Sequence, residues 1–123
     1  MMYEKIGEIS EERRLELLEY IKERPWNHIC GRLTDYWSQT VDGNVMFVML
    51  KPGGYVHKHN DALPHKIHTV LETNDMCINR SDGSDYKLEL RGVYQMDASL
   101  DHESFNFGNT DRIHMVETIE KDR

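Results

Sequence analysis

Val45-Met46-Phe47-Val48-Met49-Leu50-Lys51-Pro52-Gly53-Gly54-Tyr55-Val56-His57-Lys58-His59-Asn60-Asp61 reads as two strands about a turn. The apolar run Val45 to Leu50 follows the turn residues Asp42-Gly43-Asn44, and Pro52-Gly53-Gly54 then reverses the chain into Tyr55 to His59. Alternate side chains of an extended segment share a face. His57, His59 and Asp61 are therefore expected to project together and offer two imidazoles and a carboxylate to one point. His102, opening a later strand-like segment after Asp97 to Asp101, is the partner such a half-site needs. Two histidines and one carboxylate form the facial arrangement associated with non-heme Fe(II) and open coordination positions.

The pattern of short strands continues after this stretch. Lys66 to Glu72, Met76 to Asn79, Tyr86 to Leu90, Val93 to Met96, His102 to Asn106 and Arg112 to Thr118 are separated by turn chemistry such as Thr73-Asn74-Asp75 and Ser81-Asp82-Gly83-Ser84-Asp85. Before it, Ser10 is a candidate helix cap with Glu11 and Glu12 in the first turn, where the helix dipole favours negative charge. Leu15, Leu18 and Ile21, with Leu17 beside them, recur at helical spacing until Pro25, which predicts a helix over about 10–24. Residues 25–37 are less periodic and are expected to hold loops and a short strand, with Trp26, Tyr36 and Trp37 as packing residues. One helix and about eight short strands do not alternate as in a parallel sheet. The expected fold is mainly β: a jelly roll, cupin-like, with an N-terminal α-helix and its core at about 45–118. No repeat or linker divides residues 1–123, so one domain is expected.

Bulk composition narrows the function classes. The chain of 123 residues carries a formal net charge of -7, a field that repels phosphate and argues against broad contact with nucleic acid or anionic membrane. No apolar run approaches the roughly 20 residues that span a bilayer, and the first residues lack the pattern of a signal peptide. A cytoplasmic protein is expected. Cys30 and Cys77 stand in no metal-binding spacing and are expected to be reduced packing residues rather than a disulfide or a thiolate metal site.

Other polar residues sit on the same strands. Alternation puts Arg112 and His114 on one face and Ile113 and Met115 on the other. An arginine pointing into a barrel is costly unless an anion meets it, and its fork suits a carboxylate; the competing reading is an exposed ion pair. Lys66 and His68 show the same spacing, and would either add donors for an anionic ligand or line a solvated face. Asn74 and Asn106 are candidates for hydrogen bonds that support turns or the site.

Taken in order, Leu50-Lys51-Pro52-Gly53-Gly54, His59-Asn60-Asp61, Lys66-Ile67-His68 with Thr73-Asn74, Gly92 to Asp97, His102 to Asn106 and Arg112-Ile113-His114 resemble the aspartyl/asparaginyl beta-hydroxylase family from about residue 45 to 118. The resemblance implies a double-stranded beta-helix oxygenase dependent on Fe(II) and 2-oxoglutarate. It would hydroxylate an amino-acid side chain, free or within a peptide or protein, at the expense of molecular oxygen. On the matching positions, His59, Asp61 and His102 would ligate iron, Arg112 would bind the distal carboxylate of 2-oxoglutarate, and His68 would contact the cosubstrate. Lys66 stands where the family commonly has arginine, which keeps the charge but loses the planar fork. The alternatives are a cupin-like metal protein using His57, His59 and His102, and a non-catalytic interaction protein on the same fold.

Overall fold

The computed structural model describes residues 3–60, 65–81 and 83–119. In chain order the elements are β1 (Tyr3–Glu8), α1 (Glu11–Lys22), β2 (Asn27–Cys30), β3 (Thr34–Thr40), β4 (Val45–Leu50) and β5 (Tyr55–His59). They continue with β6 (His65–Glu72), β7 (Cys77–Ser81), β8 (Ser84–Tyr86), β9 (Gly92–Asp97), β10 (His102–Asn106) and β11 (Arg112–Thr118). The strands pair in the order β1-β9-β6-β11-β4-β3-β5-β10-β7-β8, with β2 added to β3. Every pairing is antiparallel.

The order interleaves early and late strands, as a jelly roll requires. β9-β6-β11-β4 make one wall and β5-β10-β7-β8 the other, so β10 and β11, late in the sequence, lie between strands formed much earlier. β3 bridges the walls. It pairs with β4 over Trp37 to Thr40 and with β5 at Thr34 and Asp35, so the sheet nearly closes into a barrel. Two short strands flank this core that the sequence pattern did not mark clearly: β1, which adds an edge beside β9, and β2, which forms a hairpin with β3. The segment expected as a strand at Tyr86 to Leu90 ends at Tyr86 instead, and Leu88 packs inward from an irregular stretch.

Alternation divides the apolar residues into two layers. Facing outward, Phe47, Met49, Leu71 and Ile113 meet Leu17 and Ile21 of α1, with Trp26 and Trp37 at the margin. Facing inward at the β1 end, Tyr3, Val70, Leu88, Tyr94, Met96 and Ala98 form a second cluster. Burying a side chain such as Leu17 or Ile21 contributes roughly 1.5–3 kcal/mol. The helix is set by its ends. Ser10 accepts a hydrogen bond from the Arg13 amide at 3.0 Å, and the Gln39 amide nitrogen reaches the carbonyls of Ile21 and Arg24 at 2.8 and 3.1 Å. Arg14 fastens it to the barrel through the Leu71 carbonyl and the Glu72 carboxylate, both at 2.8 Å. Leu15, counted in the helical pattern, is 52% exposed, because the seam runs through Leu17 and Ile21.

Asn106 ties the start of the last hairpin together. Its side-chain nitrogen donates to the carbonyls of Leu50 and Thr110, both at 2.8 Å, while its oxygen accepts from the Gly108 amide at 3.0 Å and from Asn74 at 3.2 Å. A Cβ at Gly108 would clash with the Asn74 side-chain amide and push it out of these hydrogen bonds. This network positions the turn that leads into Arg112. Asn106 is fully buried, so Asn106→Ala leaves several polar partners unsatisfied and is expected to cost about 2–4 kcal/mol, read from urea denaturation midpoints.

Candidate functional site

A cavity of about 310 Å³ opens in the barrel, and its wall includes His59, Lys66, His68, His102 and Arg112 together with Tyr3, Thr34, Tyr36, Ser104 and apolar residues from β4, β5, β9 and β11. Five of the six residues expected in the site therefore share one space. The sixth, Asp61, lies outside the described residues.

His59 and His102 are brought together by strand pairing. Their Cα atoms are partners between β5 and β10, and their ring centroids stand 4.3 Å apart at an interplanar angle of 58°. Each ring is oriented from behind: His59 Nδ1 lies 2.8 Å from the His57 carbonyl and His102 Nδ1 lies 2.7 Å from the Leu100 carbonyl. A carbonyl can only accept. Nδ1 therefore donates in both rings, which leaves Nε2 as the nitrogen through which either ring could ligate a metal. The loop ends next to them are linked by the Asn60 amide donating to Asp101 at 2.9 Å.

His57 does not join them. It is exposed and does not line the cavity, against the expectation that it shares a face with His59. The reason is a register shift: His102 pairs with His59 and Ser104 with Val56, so three steps along β5 oppose two along β10. The extra residue in β5 turns Val56 and His59 toward the cavity and leaves His57 outside. Simple alternation fails there.

Arg112 is 3% exposed, which removes the exposed ion-pair reading. One Nη donates to the Asn79 side-chain oxygen at 2.7 Å, while the buried Nε has no hydrogen-bond partner. Among the described residues no carboxylate lies within ion-pair distance of it. Burial pulls its pKa down, opposed by Tyr3 and Cys77. A buried, incompletely satisfied guanidinium marks a place for an anion.

His68 and His114 extend the polar surface behind Arg112. Their Nδ1 atoms are 3.0 Å apart, so one ring donates and the other, neutral at that nitrogen, accepts. Burial, assisted by Arg112, Lys66 and His102, holds His68 down at about 3, and burial with Arg112 and His68 holds His114 well below its ordinary value. As alternation predicts, Arg112, His114 and Val116 lie on the inner face of β11 and Ile113 and Met115 on the outer.

Tyr3 was not legible as a site residue. It borders the cavity from β1, its ring set edge-on to His68 at 6.0 Å, and burial pushes its phenol up to about 12 although Arg112 pulls it down. Nothing in the sequence marks β1, since Tyr3–Glu8 buries only Tyr3. Tyr36 also lines the cavity, whereas Trp26 and Trp37 pack in the helix layer. Cys77 is buried as expected; Cys30 is exposed, because β2 is an edge strand exposed along its whole length.

The architecture is shared with proteins of known structure. A viral collagen prolyl hydroxylase from Paramecium bursaria Chlorella virus-1, solved with 2OG, superimposes with a TM-score of 0.68 at 13% identity, over 95% of this chain and 94% of that one. A predicted oxalate decarboxylase from Thermotoga maritima gives 0.62 at 17% identity, over 77% and 91%, and a cupin domain from Bordetella pertussis Tohama I gives 0.57 at 14%, over 76% and 99%. At such identities the likeness establishes the cupin-type jelly roll. The aspartyl/asparaginyl beta-hydroxylase family model matches residues 22–121, most of the chain, and the protein belongs to that family.

Proposed function

We propose that this chain is an Fe(II)- and 2-oxoglutarate-dependent dioxygenase that hydroxylates an amino-acid side chain, free or within a peptide or protein. The observation that carries the reading is Arg112, a buried guanidinium with an unsatisfied Nε in the cavity that also holds the His59–His102 pair. The donor set suits both groups. His59 and His102 present imidazole lone pairs, and Asp61, two residues beyond His59, would complete a facial triad with them. Arg112 would receive the distal carboxylate of 2-oxoglutarate, with the Lys66 ammonium and neutral His68 as further donors.

When bound, iron and cosubstrate supply oxygen activation: 2-oxoglutarate and O2 give succinate and carbon dioxide, and one oxygen atom enters a substrate C–H bond. The chain's own residues bind, orient and enclose. Arg112, with His68 beside it, would hold one end of the cosubstrate, and the apolar lining of Val48, Val56, Met96 and Val116 would limit the access of bulk water. Family membership supports the same reading. A cupin-like metal site built on His57, His59 and His102 finds no support in the geometry, since His57 stands outside the cavity. The acidic chain and the absence of a long apolar helix among the described residues accord with a cytoplasmic setting, which is part of the proposal.

Under anaerobic conditions, Fe(II) and 2-oxoglutarate together are expected to raise the melting temperature, by about 3 kcal/mol of stabilisation at a hundredfold excess over Kd. Arg112→Ala should abolish the contribution of 2-oxoglutarate and keep that of the metal, and Asp61→Ala should harm metal binding more than His57→Ala. Wild-type protein in which 2-oxoglutarate adds nothing to the metal overturns the reading.

The neutral histidine pair gives a pH dependence. In the unfolded chain both imidazoles take up protons near their ordinary value of about 6.5, whereas folded His68 does so only near about 3 and folded His114 well below its ordinary value. Between those values the unfolded state binds more protons, so stability falls as pH drops below about 6.5, by about 1 kcal/mol per histidine for each pH unit. Urea midpoints of the metal-free protein should decline over that range, and the His68→Gln, His114→Gln double variant should flatten the slope.

A further inference from the structure

We infer that His28, Cys30 and Asp35 form a second metal site, on the outer wall of the barrel, for a borderline-soft divalent cation of the zinc type. The β2–β3 hairpin assembles it. Cys30 is the cross-strand partner of Asp35, and His28 lies two residues before Cys30 on the same strand and therefore on the same face. One ligand atom from each residue lies within 4.8 Å of the other two; among the described residues no other such group of three occurs. Thr34 and Tyr36 line the cavity, so Asp35 between them faces the opposite side of β3. The site is thus separated from His59 and His102 by the barrel wall, and it is independent of the activity proposed above.

A surface histidine–carboxylate pair would account for two of the three residues, His28 Nε2 lying 2.7 Å from Asp35 Oδ1. It does not account for an exposed thiol beside them, since cysteine is among the residues most often buried and Cys77, in the same chain, is. Nor does it require the imidazole to be held. The His28 ring lies on Trp37 with centroids 4.1 Å apart and planes within 3°, and the Lys51 ammonium covers the indole at 4.5 Å. The ring is thereby fixed beside the carboxylate before any ion arrives.

Thiolate, imidazole and carboxylate together select zinc-like ions over calcium or magnesium, which prefer oxygen alone, and leave a fourth tetrahedral position for water. Zinc–ligand bonds of about 2.0–2.3 Å set neighbouring ligand atoms roughly 3.3–3.7 Å apart, so the 2.7 Å contact must open by about half an ångström. Exposed side chains on an edge hairpin can do this. Binding releases the Cys30 proton and links β2 to β3, whose inward residues Thr34 and Tyr36 form part of the cavity wall.

Cobalt(II) separates this site from the candidate iron centre, because only a thiolate gives a sulfur-to-cobalt charge-transfer band in the near ultraviolet, and His59, Asp61 and His102 include no sulfur. Titration of the intact protein with Co(II), in a phosphine reductant without thiols, should produce that band with one equivalent, and Zn(II) should bleach it. The band should be absent in Cys30→Ser and present in His102→Ala, and His28→Ala and Asp35→Asn should each weaken cobalt affinity by about 100-fold or more. Lack of the band in wild type, its persistence in Cys30→Ser, or its survival at unchanged affinity in both His28→Ala and Asp35→Asn would overturn the inference.

Discussion

A full positive charge inside a β-barrel is the constraint around which this molecule is arranged. Arg112 enters the cavity from the first residue of β11, an inner strand of one wall, and donates a hydrogen bond to the neutral side-chain oxygen of Asn79. Burying an ion without a counter-ion costs several kcal/mol even after relaxation. The surroundings take the consequence. His68 and His114 remain neutral beside it and share one proton along their Nδ1 contact, and the Tyr3 phenol keeps its proton through burial. An anionic ligand would supply a counter-charge that no carboxylate among the described residues provides within ion-pair distance.

The opposite side of the cavity is governed by a local departure from regular pairing. The extra residue in β5 brings Val56 and His59 to the same side and turns His57 out, while β10, paired regularly with β7, sets His102 opposite His59. Two carbonyls then fix the rings through the same nitrogen, Nδ1, of each. The bulge costs ladder hydrogen bonds and gains a pair of aimed imidazoles. The Asn106 network does comparable work for Arg112, holding the turn between β10 and β11 through contacts to β4 and to the loop after β6.

The outer layer has a separate logic. Leu17 and Ile21 cover the back of β4, β6 and β11, and Arg14 and Gln39 secure the two ends of the helix to the barrel. The β2–β3 hairpin extends past this cover, so β2 stays exposed while Thr34 and Tyr36 on the inner face of β3 reach the cavity. One strand therefore belongs to two environments.

Much of the architecture was legible from residues alone. Turn chemistry and apolar runs separated most strands between 45 and 118, Ser10 and Pro25 bounded the helix, and the ordered blocks from Leu50 to His114 carried the family resemblance. Local propensity and side-chain period are properties of a segment, so they survive in one dimension. Edge strand β1 leaves little pattern because it buries one side chain, and where one short strand is expected within residues 25–37 there are β2 and the start of β3. Tertiary structure alone decided that His57 is excluded, that Tyr3 borders the cavity, that Arg112 is buried without a carboxylate among the described residues, and that His28, Cys30 and Asp35 meet. The first three depend on register between strands distant in sequence or on one inserted residue, the last on register across the β2–β3 hairpin, and a shift of a single position reverses which face a side chain occupies.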